Sequence, residues 1–202
     1  VPASNPRYQQ QRLEAIRAAA AEFAEKGFHG ASTTAIAKRM GIKQGSLYYY
    51  FKSKEDALGE VCMYGLEGYA SHMQAIVASD QPFAARLLAT VTSHLTSYRE
   101  RDVALKVYND ERLYLPEEKR APLKAIGSRY RQDFEDIIVQ AQDAGEVTRD
   151  VDAHFAAQAI IGLCNAFGDH IVRDPDVDLF QLIHQCTSLL LGGLAAQPKT
   201  NT

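Results

Sequence analysis

The sequence predicts an all-α protein of about nine helices, a small three-helix domain ahead of a larger helical one. Three observations predict it. Residues 32–58, STTAIAKRMGIKQGSLYYYFKSKEDAL, spell two short helices joined by a tight turn. Apolar residues recur at helical spacing along the chain, with no alternating strand pattern. Near the C-terminal end, two long segments, Ala153 to Gly168 and Phe180 to Ala196, carry no Asp, Glu, Lys or Arg. Helices apolar on nearly every side must be covered on nearly every side.

Taken in order, residues 1 to 6, with Pro2 and Pro6, read as a mobile tail. Leu13, Ile16, Ala20, Phe23 and Ala24 then form one stripe of a first helix that ends at Gly27. Ser32 caps a second helix carrying Ile36, Ala37 and Met40, and Gly41 supplies the left-handed residue that stops it. Ile42 returns to the core. A third helix from about Gln44 to Tyr50 presents Gln44, Ser46, Tyr48 and Tyr49 beside small Gly45. Two short helices bury too little alone, so Phe51 and the first helix complete a three-helix core. Ser53, with Asp56 three positions on, is a capping-box start for a long helix to about Val77. Further helices are read at 82–98, 101–114, 117–144, 152–172 and 178–195, broken most clearly at Gly145 and around Pro175. The expected division is a helix-turn-helix DNA-binding domain at 1–52 and a helical effector-binding and dimerisation domain at 53–202.

Charge separates the two parts. Residues 1–54 hold nine Lys or Arg against three acids, Glu14, Glu22 and Glu25, so they carry +6; with −3 on the whole chain, the remainder carries −9. A polyanion responds to the local patch, so the acidic total does not exclude nucleic acid. Cys62, Cys164 and Cys186 lie far apart without metal-ligand spacing, as expected of free thiols in a reducing compartment. No secretory signal or membrane-crossing run is read, which predicts a cytoplasmic protein with no membrane partner. The six histidines lack ligand spacing and no Gly-rich phosphate loop occurs, so neither an enzyme, a cofactor nor a metal is expected. His170 beside Asp169 reads as a helix-end histidine with a neighbour.

Residues 13–58 resemble the N-terminal domain of the tetracycline-repressor (TetR/AcrR) family. The resemblance lies in the apolar helix ending at Gly27-Phe28, in Thr33-Thr34, and above all in the run from Gly45 through Tyr48-Tyr49-Tyr50-Phe51 to Lys54. It covers about a quarter of the chain; the later helices agree in number and rough length. It implies phosphate contacts from Thr33, Thr34, Tyr49 and Lys54, and base-edge reading by Gln44, Gly45, Ser46 and Tyr48, with Tyr50 a further candidate. Where such proteins often carry a hydroxyl cap, this chain has Lys43, which gives up a cap and adds a cation near the duplex backbone.

The residue chemistry agrees independently. The Gln44 amide matches adenine N6 and N7, Gly45 and Ser46 allow close approach, and Tyr48 suits a thymine methyl. The competing reading makes Leu47, Phe51 and one of the tyrosines core and the lysines solvated. Arg7 and Arg12 divide between DNA contact and plain exposure. Ile160, Leu163, Phe167, Leu179, Ile183 and Leu190 are the expected dimerisation residues, forming a four-helix bundle about a two-fold axis. A homodimer on double-stranded, near-palindromic operator DNA follows.

For a small-molecule effector the expected lining is Leu88, Leu95, Tyr108, Glu111, Arg112, Arg129, Tyr130 and Phe134, apolar and polar residues on neighbouring turns. A plain helical core with solvated charges competes for each of them. The Tyr108, Glu111, Arg129, Tyr130 arrangement resembles family members that sense fatty-acyl or steroid coenzyme A thioesters. The expectation is thus a ligand-responsive transcriptional regulator, a repressor released by a largely apolar effector; the alternative is a helical DNA-binding or adaptor protein without one.

Overall fold

In the computed structural model, residues 6–174 and 176–194 are described; the expectations for Pro2, Pro175 and Ala196 lie outside them. Among the described residues there are nine α-helices and no strand: α1 Pro6–Gly30, α2 Thr33–Arg39, α3 Gln44–Leu47, α4 Lys54–Val77, α5 Phe83–Glu100, α6 Asp102–Glu111, α7 Glu117–Asp143, α8 Ala153–Arg173 and α9 Leu179–Leu194. The expected long helices recur within a few residues. The first helix breaks at Gly27 (φ 65°, ψ 171°), where the sequence ends it, and a short further turn carries α1 to Gly30. One local reading differs. The third helix stops at Leu47, because the amides of Tyr49 and Tyr50 turn back to the carbonyls of Ser46 and Leu47 in tight three-residue loops.

The chain packs as two compact units that no single cut in the sequence separates. One is Val1–Glu67 with Arg101–Ala125; the other is Gly68–Glu100 with Ile126–Thr202. In the first, α1 lies against α2 and α6. Phe23, Ile36, Leu47, Phe51 and Leu58 are its sealed interior, and each such side chain stabilises the unit by roughly 1.5–3 kcal/mol. The capping expectations are met here: Ser32 Oγ accepts from Ala35 N–H (3.1 Å), Gly41 has φ 67°, and Ser53 Oγ accepts from Asp56 N–H (3.0 Å). The Asp56 carboxylate accepts in return from Lys52 N–H (3.0 Å), one residue earlier than a capping box would place it.

In the second unit α5 packs against both α8 and α9. Gly168 on α8 lies under the Tyr98 ring of α5, where a β-carbon would come within 2.3 Å of it. No other residue leaves room for that ring. By length and composition α8 reaches what a membrane-crossing helix needs, which the sequence reading did not register. Its burial of Ala156, Ile160, Cys164 and Ile171 against neighbouring helices makes it a core helix of this unit. All three cysteines are buried free thiols, and burial pushes Cys62 and Cys164 up to about 12.

Candidate DNA-binding and effector sites

The helix-turn-helix is built by local chemistry. Ser32 starts α2, Gly41 ends it, and Leu47 and Phe51 anchor the next turn in the core. Lys43 makes no side-chain cap, as expected. Gln44, Gly45 and Ser46 are all exposed on α3, and a β-carbon on Gly45 would meet nothing within 4 Å. Nothing in the free chain's packing needs a glycine there, whereas a groove floor would. Thr34 is exposed and Thr33 half-buried, its hydroxyl accepting from Gln44 Nε2 (3.2 Å). Tyr48 and Tyr49 are 50% and 64% exposed, large fractions for aromatic side chains, while Tyr50 is half-buried.

Tyr8, which the sequence reading passed over, joins the aromatic group from α1. Its ring meets Tyr49 edge-on at 5.6 Å and stacks on Tyr50 at 6.3 Å. Lys54, expected on phosphate, turns inward instead. Its ammonium donates to the carbonyls of Phe28 (2.7 Å) and Ala31 (3.1 Å) and lies 4.4 Å from the Phe28 ring centroid. A cation serving the open carbonyls at the end of α1 braces the domain. Ion pairs hold two of the arginines: Arg39 bonds buried Glu22 (2.7 Å) and Glu25 (2.5 Å), acids already counted in the +6, and Arg12 pairs with Glu60 of α4.

The expected effector residues do not share one unit. Tyr108, Glu111 and Arg112 belong with the helix-turn-helix, and Leu88, Leu95, Arg129, Tyr130 and Phe134 with the other unit. Glu111 has a structural partner: the break at Gly27 frees the Phe28 N–H, and Glu111 Oε2 accepts it at 2.9 Å. Tyr114 stacks on Phe28 at 5.5 Å beside that bond. Arg112 donates to its own helix carbonyls, Tyr108 (3.2 Å) and Asn109, and lies over the Tyr108 ring. Glu111→Ala is therefore expected to cost about 1 kcal/mol in urea unfolding, with Glu111→Gln, which keeps an acceptor oxygen, recovering most of it. An unchanged midpoint in the alanine variant would show the bond to be worth nothing.

In the second unit Leu95, Tyr130 and Phe134 are buried, while Leu88 is largely exposed. Arg129 is an exposed side chain whose Nε lies 2.8 Å from buried Asp133. The interior polar group is one the sequence reading did not assemble. His94 Nδ1 is 2.8 Å from Tyr130 Oη, His94 Nε2 is 3.0 Å from Asn165 Oδ1, and Tyr98 Oη donates to the same Asn165 oxygen at 3.0 Å. Burial holds His94 down to about 4 and Tyr130 well above its ordinary value, so both are neutral near pH 7. With the Asn165 oxygen accepting, Nε2 carries the ring proton and Tyr130 donates to Nδ1. The result is a neutral hydrogen-bonded relay across α5, α7 and α8. Leu87, Val91, His94 and Tyr98 recur at helical spacing, a signal that would have placed His94 inside.

Residues 15–61 match the family described as bacterial regulatory proteins, tetR family, and residues 80–193 match the tetracyclin repressor-like C-terminal domain. The chain belongs to the TetR family. It is a DNA-binding transcriptional regulator. This TetR-family chain is 27% identical over 184 residues to the fatty acid metabolism regulator protein of Bacillus subtilis (strain 168), covering 90% of this chain and 94% of that one. It is 29% identical over 147 residues to the transcriptional repressor KstR2 of Rhodococcus jostii (strain RHA1), 72% of each. The crystal structure of the regulator FadR from Bacillus subtilis in complex with stearoyl-CoA superposes with a TM-score of 0.73 at 25% identity, over 90% of this chain and 98% of that one.

TetR-family regulators dimerise, and the residues expected for that contact sort themselves by exposure. Ile160 and Ile183 are sealed in the unit's own core and so are unavailable to a second copy; burial inside one chain has already used their apolar surface. Leu163, Phe167, Leu179 and Leu190 are half-buried. Among the described residues the large exposed apolar side chains on these helices are Phe155, Phe180 and Leu189, at 66%, 81% and 67%.

Proposed function

We propose that this TetR-family regulator binds a near-palindromic operator as a homodimer and leaves it on binding a long-chain acyl or steroid coenzyme A thioester. The observation that carries the effector class is the relay of His94, Tyr98, Tyr130 and Asn165. It keeps the polar groups inside an apolar helical unit neutral, which suits an otherwise apolar molecule and disfavours a buried charge. The names of the relatives, a fatty acid metabolism regulator and KstR2, and the stearoyl-CoA in the FadR crystal point the same way.

In this reading Gln44, Gly45, Ser46 and Tyr48 read base edges, Tyr50 adds to them, and Thr33, Thr34, Lys43 and Tyr49 reach phosphates. Lys54 is reassigned to bracing α1. The dimer contact uses the uncharged exposed faces of α8 and α9, including Ala159, Gly162, Ala166, Gln185 and Leu189, with half-buried Leu163, Phe167, Leu179 and Leu190 completing it. Two-fold symmetry sets the α3 helices roughly 34–36 Å apart, one turn of DNA. Acting on chromosomal DNA puts the protein in the bacterial cytoplasm.

The test titrates stearoyl-CoA and a steroid coenzyme A thioester into the operator complex and follows DNA release. An effector favouring the unbound spacing by ~1–3 kcal/mol weakens operator affinity roughly 5–150-fold. If neither thioester moves the complex, the effector class is wrong.

A further inference from the structure

The strongest unassigned feature lies in the second unit, at the start of α5. Arg86 is only 7% exposed, and no carboxylate forms an ion pair with it among the described residues. Both of its hydrogen bonds leave from Nη2, to Gln140 Oε1 (2.8 Å) and to the Val77 carbonyl (3.3 Å). Nε is sealed from solvent without an acceptor. A buried cation whose hydrogen-bond partners are all neutral, with its acids acting only from beyond ion-pair distance, is costly to keep, since desolvation of a guanidinium is repaid chiefly by a close counter-charge.

Arg86 forms one wall of a cleft of about 190 Å³. Ala75, Ile76, Ala85 and Ala89 line the rest with apolar surface, and Ser79 and Gln81 stand among them. A water claims about 30 Å³ of liquid, so the cleft has room for roughly six water-sized groups, and a longer stem runs out along its open side. Two acids bear on the choice of anion. Glu146 and Asp80 both act electrostatically on Arg86, and Glu146 is already spent accepting the Phe83 N–H at 2.7 Å. Their negative charge repels a dianion more than a monoanion, so phosphate is disfavoured.

We propose that this cleft is a second ligand site, separate from the effector relay, that takes a small monocarboxylate with an apolar stem. The carboxylate supplies the close counter-charge that Arg86 lacks, through Nη1, the guanidinium nitrogen that neither makes a protein bond nor is sealed from solvent. The stem covers the alanine-lined wall. The arrangement is charge-assisted and therefore selective for the headgroup.

Calorimetric titration of the full chain with octanoate tests this, with octanol and inorganic phosphate as the other two probes. Octanoate is expected to bind one per chain, and octanol and phosphate to bind at least roughly tenfold more weakly. Arg86→Met should lower octanoate affinity roughly 10–100-fold. Because that variant also cuts the Val77 and Gln140 bonds, Ala89→Phe is the companion: it fills the exposed cleft and leaves Arg86 intact, and it too should abolish octanoate binding while the thermal midpoint stays put. No octanoate binding to the wild type overturns the proposal. So does octanol binding equally well, or octanoate binding that survives Ala89→Phe, which would assign it elsewhere, the effector interior included. Stearoyl-CoA titrated into Ala89→Phe reads the effector reading by itself, so either can fail alone.

Discussion

Alanine at both Gln44 and Tyr48 is expected to lower operator affinity by roughly 30- to 10⁴-fold while leaving the fold intact. Each side chain that reads a base edge is worth ~1–3 kcal/mol of discrimination, and the two act at different positions on α3 and the turn after it. Both are exposed, so their removal opens no cavity; among the described residues Gln44 gives up only a solvent-facing side-chain bond to Thr33. Affinity for random duplex should fall far less, because Thr33, Thr34, Lys43 and Tyr49 still meet phosphates. Fluorescence anisotropy with operator and random duplexes at one salt concentration measures the ratio directly. A ratio unchanged from wild type would remove α3 from sequence reading altogether.

What the chain's letters disclose depends on how local the cause is. The caps at Ser32 and Ser53 and the left-handed Gly41 are decided within four residues, and each recurs in the structure as read. The end of α3 is as local but is a contest between two hydrogen-bond spacings that hydrophobic period does not resolve; Tyr49 and Tyr50 take the tighter one. Lys54 shows a different limit. Its place at the first turn of α4 is legible, but a four-carbon stem reaches either outward to phosphate or back to the Phe28 and Ala31 carbonyls, and only the assembled domain offers the second.

The larger helical region is less legible for the same reason. Glu111 looks like a pocket acid by its neighbours in sequence, yet the amide it serves is on Phe28, far away along the chain and exposed to need only by the break at Gly27. In α8 and α9, being apolar on all sides says that every face is covered without saying by what. Ile160 and Ile183 turn to their own core, and small or neutral residues such as Gly162 and Gln185 are left outside. His94 could have been placed by its spacing from Leu87 and Val91, but its partners Tyr130 and Asn165 come from two other helices.

That relay makes stability depend on pH in a window that other groups leave open. His94 is buried and neutral, with its folded pKa held down to about 4 against an ordinary value of 6.5. The unfolded chain therefore takes up a proton first as pH falls. The stabilisation is complete above about pH 6.5 and is lost progressively between there and about pH 4, amounting to about 3 kcal/mol. The carboxylates held low by hydrogen bonds to Arg39 and Lys119, Glu25 and Asp56, begin to cost stability only as pH drops through the ordinary carboxylate range of 4.5 and 3.8. Asp133 runs the other way: burial raises its pKa, so the folded state gains relative stability as that carboxyl protonates. Urea unfolding of wild type and His94→Gln at pH 7.5, 5.5 and 4.5 separates these, since the other groups are common to both proteins. The wild type should lose stability relative to the variant steadily below pH 6.5. Parallel curves would mean that His94 is already protonated, or reached by water, inside the folded helices, and the direction assigned to the Tyr130 and Asn165 bonds would have to be reversed or abandoned.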